Sequence, residues 1–210
     1  YKRQAFTDAI IEYFVKGEIS MTKMVSELNN QLMLYRDQTN QVQFNILDSH
    51  DTPRLLTLAR GDKDLMRQVM AFTYLQQGVP CLYYGDEIGL TGDMDPDCRK
   101  CIVWEEEKQD RDLLRFTTDL IHLRKSHQKI LSEGSLNWNV ISEEEGLIIF
   151  ERELGAQRII GIFNTGEDQL TLSCPEEILL DQFMQIEDET MIIDNKGFVI
   201  AKINNEISNN

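Results

Sequence analysis

Two carboxylates, an imidazole and a guanidinium fall within seven residues in the run Asp48-Ser49-His50-Asp51-Thr52-Pro53-Arg54. Such side chains can exchange hydrogen bonds with a hydroxyl-rich ligand, stabilise a developing charge, or move a proton. In the preceding stretch Val42, Phe44, Ile46 and Leu47 are strand formers, and Pro53 lacks the N–H that a ladder needs and stops the strand. The polar cluster therefore sits at the carboxyl end of a short buried strand, the end at which parallel α/β folds gather ligands. Asp, Ser and Thr ahead of a helix are also ordinary capping residues, so the run alone does not decide. A second stretch repeats the design: Val79-Pro80-Cys81-Leu82-Tyr83-Tyr84 is apolar and is followed by Gly85-Asp86-Glu87. Strand, helix, strand, with carboxylates at each strand end, predicts a parallel sheet or barrel with a site on one face.

The elements that must position these residues can be read in order. A first helix is expected over residues 6–14, capped by Thr7, with Phe6, Ile10, Tyr13 and Phe14 on one face and Gly17 as its breaker. Ser20 opens a longer helix to about residue 35, with Met21, Met24, Val25, Leu28, Leu32 and Tyr35 as its apolar stripe. Gln38, Asn40 and Gln41 make a polar turn into a strand at 42–47. After Arg54 a short apolar piece, 55–58, leads to Gly61. Asp62 caps a helix that turns Leu65, Met66, Val69, Phe72 and Leu75 inward and ends at Gly78. A strand at 79–84 precedes a long loop, 85–104, rich in Gly, Asp and Pro. The charged segment 105–112 leads a helix to about residue 127, with Leu113, Phe116, Leu120 and Leu123 on one side.

From about Leu131 the pattern changes to short alternating runs at 136–141, 147–152, 158–164, 169–173, 191–194 and 198–203. Glycines at 146, 155, 166 and 197 separate several of them, as in an antiparallel sandwich. Its aromatics, Trp138, Phe150, Phe163, Phe183 and Phe198, stand mostly at core-like alternating positions. Residues 204–210 are polar and are expected to fray.

The chain has 210 residues, 41% apolar and 27% charged, with a formal net charge of −15. That charge argues against nucleic acid and anionic membrane surfaces as partners, since both require cationic patches. No apolar run approaches a membrane span. The sequence begins at Tyr1, so the native amino terminus is expected to be missing and a signal peptide is untested. Cys81, in an apolar strand, is expected to be a buried, inert thiol. Cys98-Arg99-Lys100-Cys101 would need a second ligand pair to hold zinc, and the remaining cysteines, Cys81 and Cys174, do not form one.

Taken together, Phe44-Asn45-Ile46-Leu47-Asp48-Ser49-His50-Asp51-Thr52-Pro53-Arg54 resembles the last catalytic segment of the α-amylase family of glycoside hydrolases. The run Gly78-Val79-Pro80-Cys81-Leu82-Tyr83-Tyr84-Gly85-Asp86-Glu87-Ile88-Gly89 resembles that family's motif at the eighth barrel strand. The segment from Gly92 to Trp104 is similar to the neopullulanase, cyclomaltodextrinase and maltogenic amylase branch. The resemblance is strong to about Gln128 and looser beyond.

It implies an α/β part followed by an all-β part. Residues 1–130 would be the carboxyl-terminal part of a (β/α)8 barrel, its seventh and eighth strands with helices, and residues 131–210 an antiparallel β-sandwich. It implies Asp51 as the transition-state stabiliser of a retaining α-glucan hydrolase, with His50, Asp95 and Arg99 binding sugar. The nucleophile and general acid of that family lie on strands before this chain begins, so the chain alone is expected to be inactive. The substrates implied are α-glucan oligosaccharides such as cyclodextrin, pullulan or maltodextrin. No cofactor or metal is implied for these residues; calcium remains open for the missing part of a parent enzyme. A cytoplasmic location is expected. A fragment with bare strand edges is expected to self-associate. Tyr84 and Trp104 read as packing residues, and Asp86 and Glu87 as capping or bracing the loop. The competing reading is a non-catalytic carbohydrate-binding or assembly module.

Overall fold

The computed structural model describes residues 4–204. They form two compact units: one runs to Tyr74 and takes in Gly78–His122, the other comprises Leu75–Gln77 and the residues from Leu123 onward.

In the first unit α1 (Gln4–Ile10) passes into a π-helical turn, Ile11–Lys16, which Gly17 ends at φ +64°. Thr7 does not cap this helix as expected. It lies inside it and donates its hydroxyl to the Ile46 carbonyl at 2.7 Å. Ser20 does cap α2 (Met21–Met33), accepting the Lys23 N–H at 3.1 Å. The buried stripe of α2 is Met21, Met24, Val25 and Leu28, and it stops short of the expected Tyr35, which is exposed. The cause is Asn40, whose side-chain amide donates to the carbonyls of Leu32 and Tyr35 at 2.7 and 3.2 Å and ties off the helix end. Asn40 itself sits in a short helix, α3 (Asp37–Val42), where a polar turn is expected.

Because α3 absorbs Val42, the first strand shrinks to β1 (Phe44–Asn45). Its partner β2 (Val79–Pro80) is equally short, and the two are parallel, with Phe44 opposite Val79 and Asn45 opposite Pro80. The ladder continues only through Val79 N–H to Gln43 O, 2.8 Å, and Cys81 N–H to Asn45 O, 2.9 Å. The chains then separate to carry polar loops. Cys81 is exposed, not buried as expected.

The link between the strands contains α4 (Leu55–Leu58) and α5 (Lys63–Leu75). Asp62 caps α5 as the sequence predicts, accepting from Leu65 N at 2.9 Å. Met66, Val69, Met70 and Phe72 of α5 are fully buried. Gly78, at φ +117°, brings the chain so close that a Cβ would meet Gln43 O at 2.8 Å. Only glycine satisfies both demands. Past the long loop, α6 (Arg111–Ser126) starts later than expected, capped by Asp110 accepting from Leu113 N at 2.8 Å.

In the second unit α7 (Gln128–Glu133) precedes six strands: β3 (Ser135–Ser142), β4 (Leu147–Leu154), β5 (Gln157–Asn164), β6 (Leu170–Ser173), β7 (Glu177–Glu187) and β8 (Thr190–Asn204). All pairings are antiparallel, as expected. The six belong to one hydrogen-bonded sheet instead of two separate ones. The reason is β8, expected as two strands at 191–194 and 198–203 but continuous. Its first part pairs with β6 and its second with β5, while β7 runs alongside both. The bend falls where Lys196 takes φ +59° and Gly197 follows.

Leu147, Ile162, Leu170, Met191, Ile193, Val199 and Ala201 form one core of this sheet. On the other face Phe150, Phe163 and Phe198 stack with successive ring centroids 5.8 Å apart. Gly161 makes that row possible, since a Cβ there would lie 2.6 Å from Leu75 Cδ1 and 2.9 Å from the Phe163 ring. Arg152 is wholly buried on the same strand as Phe150. Its guanidinium donates to the carbonyls of Leu75, Leu131, Gly134 and Ser135 at 2.7–3.2 Å. Burial, and then the nearby Arg124, push its pKa down to about 9, so it keeps its charge at neutral pH. The expected frayed end at residues 204–210 lies outside the described residues, apart from Asn204, the last residue of β8.

Candidate functional site

Beyond β1 the chain makes a compact turn whose hydrogen bonds are local. Thr52 N–H reaches Ser49 O at 3.3 Å, Ser49 N–H reaches Thr52 Oγ1 at 3.0 Å, and Asp51 N–H reaches Ser49 Oγ at 3.2 Å. The turn lifts His50 and Asp51 into solvent with their side chains paired, Nε2 to Oδ1, at 3.2 Å. Its two stems stay buried. On one side Asp48 accepts the Leu55 N–H at 2.7 Å, capping α4 from seven residues away. On the other, Arg54 is entirely enclosed.

Arg54 joins the first strand-end loop to the second. Its Nη1 donates to the Tyr84 carbonyl at 2.7 Å and to Asp86 Oδ1 at 3.3 Å, and its backbone N–H donates to Gly92 O at 2.9 Å. The guanidinium carbon stands 4.5 Å from the Tyr83 ring centre and 4.6 Å from that of Tyr84. Two of its nitrogens, Nε and Nη2, have no acceptor among the described residues, and two π faces lie against the guanidinium. Asp86, almost fully buried, hydrogen-bonds the Asp48 carboxyl. Two carboxylates cannot hydrogen-bond each other without a proton between them. Burial, followed by the Asp48 charge, holds Asp86 well above the ordinary carboxylate range, and burial raises Asp48 as well. Asp86 is the more strongly raised of the two, which favours the proton on Asp86 and the charge on Asp48.

The long loop supplies the remaining residues. Gly85 and Gly89, at φ +88° and +76°, flank a 3₁₀ turn, Asp86–Ile88, and Glu87 accepts the Gly85 N–H at 2.7 Å. A second 3₁₀ turn, Asp97–Arg99, faces the Ser49–Thr52 turn. Cys98 Sγ and Arg99 Nε both donate to the His50 carbonyl, at 3.2 and 3.0 Å. Arg99 also lies 3.0 Å from Asp95 Oδ1 and 3.6 Å from Asp51 Oδ1. His50, Asp51, Arg99 and Asp95 therefore form one exposed chain of contacts, assembled from two loops forty-odd residues apart.

All four residues singled out from the sequence meet here, and Asp95 and Arg99 bridge each other as well. Asp86 and Glu87 brace the loop, as expected. Missed were the buried triad of Asp48, Arg54 and Asp86 as a unit and the Cys98 thiol on the His50 carbonyl. The one available signal was a cation directly after Pro53, where the chain must turn back into the protein. Trp104 is not a packing residue: it is 79% exposed. Tyr84 is partly so, donating its hydroxyl to Lys100 O at 2.7 Å.

Chemically, the exposed set offers two carboxylates that accept hydroxyl hydrogen bonds and a guanidinium and imidazole that donate them. The buried carboxyl pair, 4% and 2% exposed, is out of reach of any ligand. No group of three or more His, Cys, Asp or Glu among the described residues stands together as metal ligands. No helix among them is long and apolar enough to cross a membrane.

Residues 3–109 match the family model described as the catalytic domain of alpha amylase. The intracellular maltogenic amylase of Bacillus subtilis strain 168 is 48% identical over 161 residues, 77% of this chain and 27% of that protein. Neopullulanase 2 of Thermoactinomyces vulgaris is 37% identical over 168 residues, 80% of this chain and 28% of that protein. A solved cyclomaltodextrinase superposes with a TM-score of 0.80 at 34% identity, over 96% of this chain and 36% of its own. The chain thus spans little more than a quarter of the length of these two relatives.

Proposed function

The chain belongs to the α-amylase family of glycoside hydrolases, in the branch of maltogenic amylases, cyclomaltodextrinases and neopullulanases, and on that premise we propose that it is the carboxyl-terminal part of an α-glucan hydrolase. In this reading β1 and β2 are the seventh and eighth strands of a (β/α)8 barrel and the antiparallel unit is the domain that follows it. Asp51 stabilises the positive charge that develops at the anomeric centre as the α-glucosidic bond breaks, and holds sugar hydroxyls by charge-assisted hydrogen bonds. His50 donates to the same ring. Asp95 and Arg99 grip a neighbouring glucose unit. The substrates are α-glucan oligosaccharides. The name of the Bacillus subtilis relative supports a cytoplasmic setting.

The observation that carries this reading is the exposed chain His50–Asp51–Arg99–Asp95 at the carboxyl ends of two parallel strands. Retaining hydrolysis also needs two further carboxyl groups about 5–5.5 Å apart. The hydrogen-bonded pair Asp48 and Asp86 is buried under the turn and cannot serve. In this reading these 210 residues supply the stabiliser and not the nucleophile or proton donor, and do not cleave the bond alone. Phe44 and Val79 are exposed, and neither strand has a second neighbour among the described residues, which supports self-association of the isolated chain.

The test sets the chain beside a complete parent enzyme in a reducing-sugar assay on maltodextrin, cyclodextrin and pullulan. The chain alone stays at background. In the parent, Asp51→Asn lowers kcat by the equivalent of about 3–4 kcal/mol, the scale for a lost electrostatic stabiliser. Turnover by the chain alone that its own Asp51→Asn variant abolishes would overturn this assignment of roles.

A further inference from the structure

The buried triad does more than fill space beneath the turn. Asp48 and Arg54 are the two stems of the loop that presents His50 and Asp51, and both meet the same residue, Asp86, on the opposite strand-end loop. Asp48 is fixed further by the Leu55 N–H at 2.7 Å, and Arg54 by the Tyr84 carbonyl at 2.7 Å. A loop held at one stem can swing about it; held at both, it has one position. We propose that Asp86 is a positioning residue. As a neutral carboxyl it donates to Asp48 and accepts from Arg54, clasping both stems and fixing where His50 and Asp51 stand relative to Asp95 and Arg99. The value of that position for catalysis rests on the reading of Asp51 given above; the clasp does not.

The neutral form explains the arrangement. One proton between Asp48 and Asp86 leaves one cation against one carboxylate, so the buried group as a whole carries no net charge, the condition under which such a cluster is tolerated. It also makes an unusual demand on substitution. Asparagine has the hydrogen-bonding capacity of a protonated aspartate, a donor toward Asp48 and an acceptor toward Arg54. Leucine has the size and neither group.

The experiment uses the 210-residue chain, isotopically labelled, and reads two cross-peaks by NMR: the Asp51 backbone amide and the His50 ring C–H, the latter one of only three histidines. Asp86→Asn leaves both at wild-type positions. Asp86→Leu moves both, while amides of β3 to β5 stay in place. A residue that only adds stability would lower the melting temperature in either variant and leave the two peaks where they were. Should Asp86→Leu not fold, Arg54→Lys serves instead: it keeps the charge but its shorter side chain does not carry a donor to the place of Nη1, which reaches both the Tyr84 carbonyl and Asp86, and it too shifts both peaks. Unmoved peaks in Asp86→Leu or Arg54→Lys overturn the positioning role, and Asn disturbing them as much as Leu overturns the neutral clasp. Neither result depends on whether Asp51 binds sugar.

Discussion

The Nε–H of Arg99 lies 3.0 Å from the carbonyl oxygen of His50, a contact across 49 residues of sequence. The same nitrogen is 3.0 Å from Asp95 Oδ1, so it is fully engaged within the protein. Of the guanidinium, only the terminal nitrogens are left to address a ligand. One side chain thus aligns its own loop with the turn bearing Asp51 and keeps its terminal nitrogens toward Asp51.

Arg99→Lys separates these duties. Lysine keeps the charge but has no Nε–H to share between His50 O and Asp95. In the complete enzyme we expect kcat/KM on oligosaccharides to fall roughly tenfold to hundredfold, the range for losing hydrogen bonds to charged groups at about 1.5–3 kcal/mol. Steady-state kinetics on maltotriose checks it. A loss below threefold would mean that charge alone suffices there.

Asp86 sets a pH dependence of stability with a definite sign. Burial and the neighbouring Asp48 hold its folded-state pKa well above the usual range. In the window between the unfolded value of about 4 and that raised value, the folded chain binds a proton that the unfolded chain has released. The associated stability is fully present below the window and is lost as pH rises through it. Asp86→Asn has no proton to lose. Urea unfolding at a series of pH values should therefore show wild type losing ground to the variant from about pH 4 upward, then levelling off. A wild type that gains on the variant as pH rises would contradict the direction of the shift.

Arg152 carries a different load. Its guanidinium satisfies four backbone carbonyls, with no carboxylate among its hydrogen-bond acceptors. Arg152→Met keeps most of the volume and strands those acceptors. At roughly 1–3 kcal/mol for a buried polar group left unmet, partly relieved by relaxation, we expect a loss of about 3 kcal/mol. Denaturant unfolding followed by near-ultraviolet circular dichroism reads it. A loss under about 1 kcal/mol would mean that water replaces the arginine.

The sequence carried the helices well where a cap and a stripe coincide, as at Ser20 and Asp62, and it singled out the four exposed side chains that the two loops bring together. It was least legible where side chains act on backbone far away. Thr7 looks like a cap but bonds Ile46 O, and Asn40 looks like turn material but ends α2 from outside. β7 went unread because its alternation is broken by register shifts between Ile178 and Leu180 and between Gln182 and Met184. Phe183 sits at the second of these with φ +52° and points its ring out of the core, 45% exposed. The triad stayed hidden for a similar reason. Nothing in the spacing of Asp48, Arg54 and Asp86 announces that three charged residues share one dry pocket.

The path of β8 has a consequence for the order in which this chain can be made. Among the described residues β6 and β7 have β8 as their only hydrogen-bonded neighbour, and β8 is also what joins them to β3, β4 and β5. During synthesis β3 to β5 can zip together as a local meander soon after they leave the ribosome. β6 and β7 must wait, unpaired, until Thr190–Asn204 emerges. For that interval the nascent chain exposes strand edges of the kind that chaperones bind.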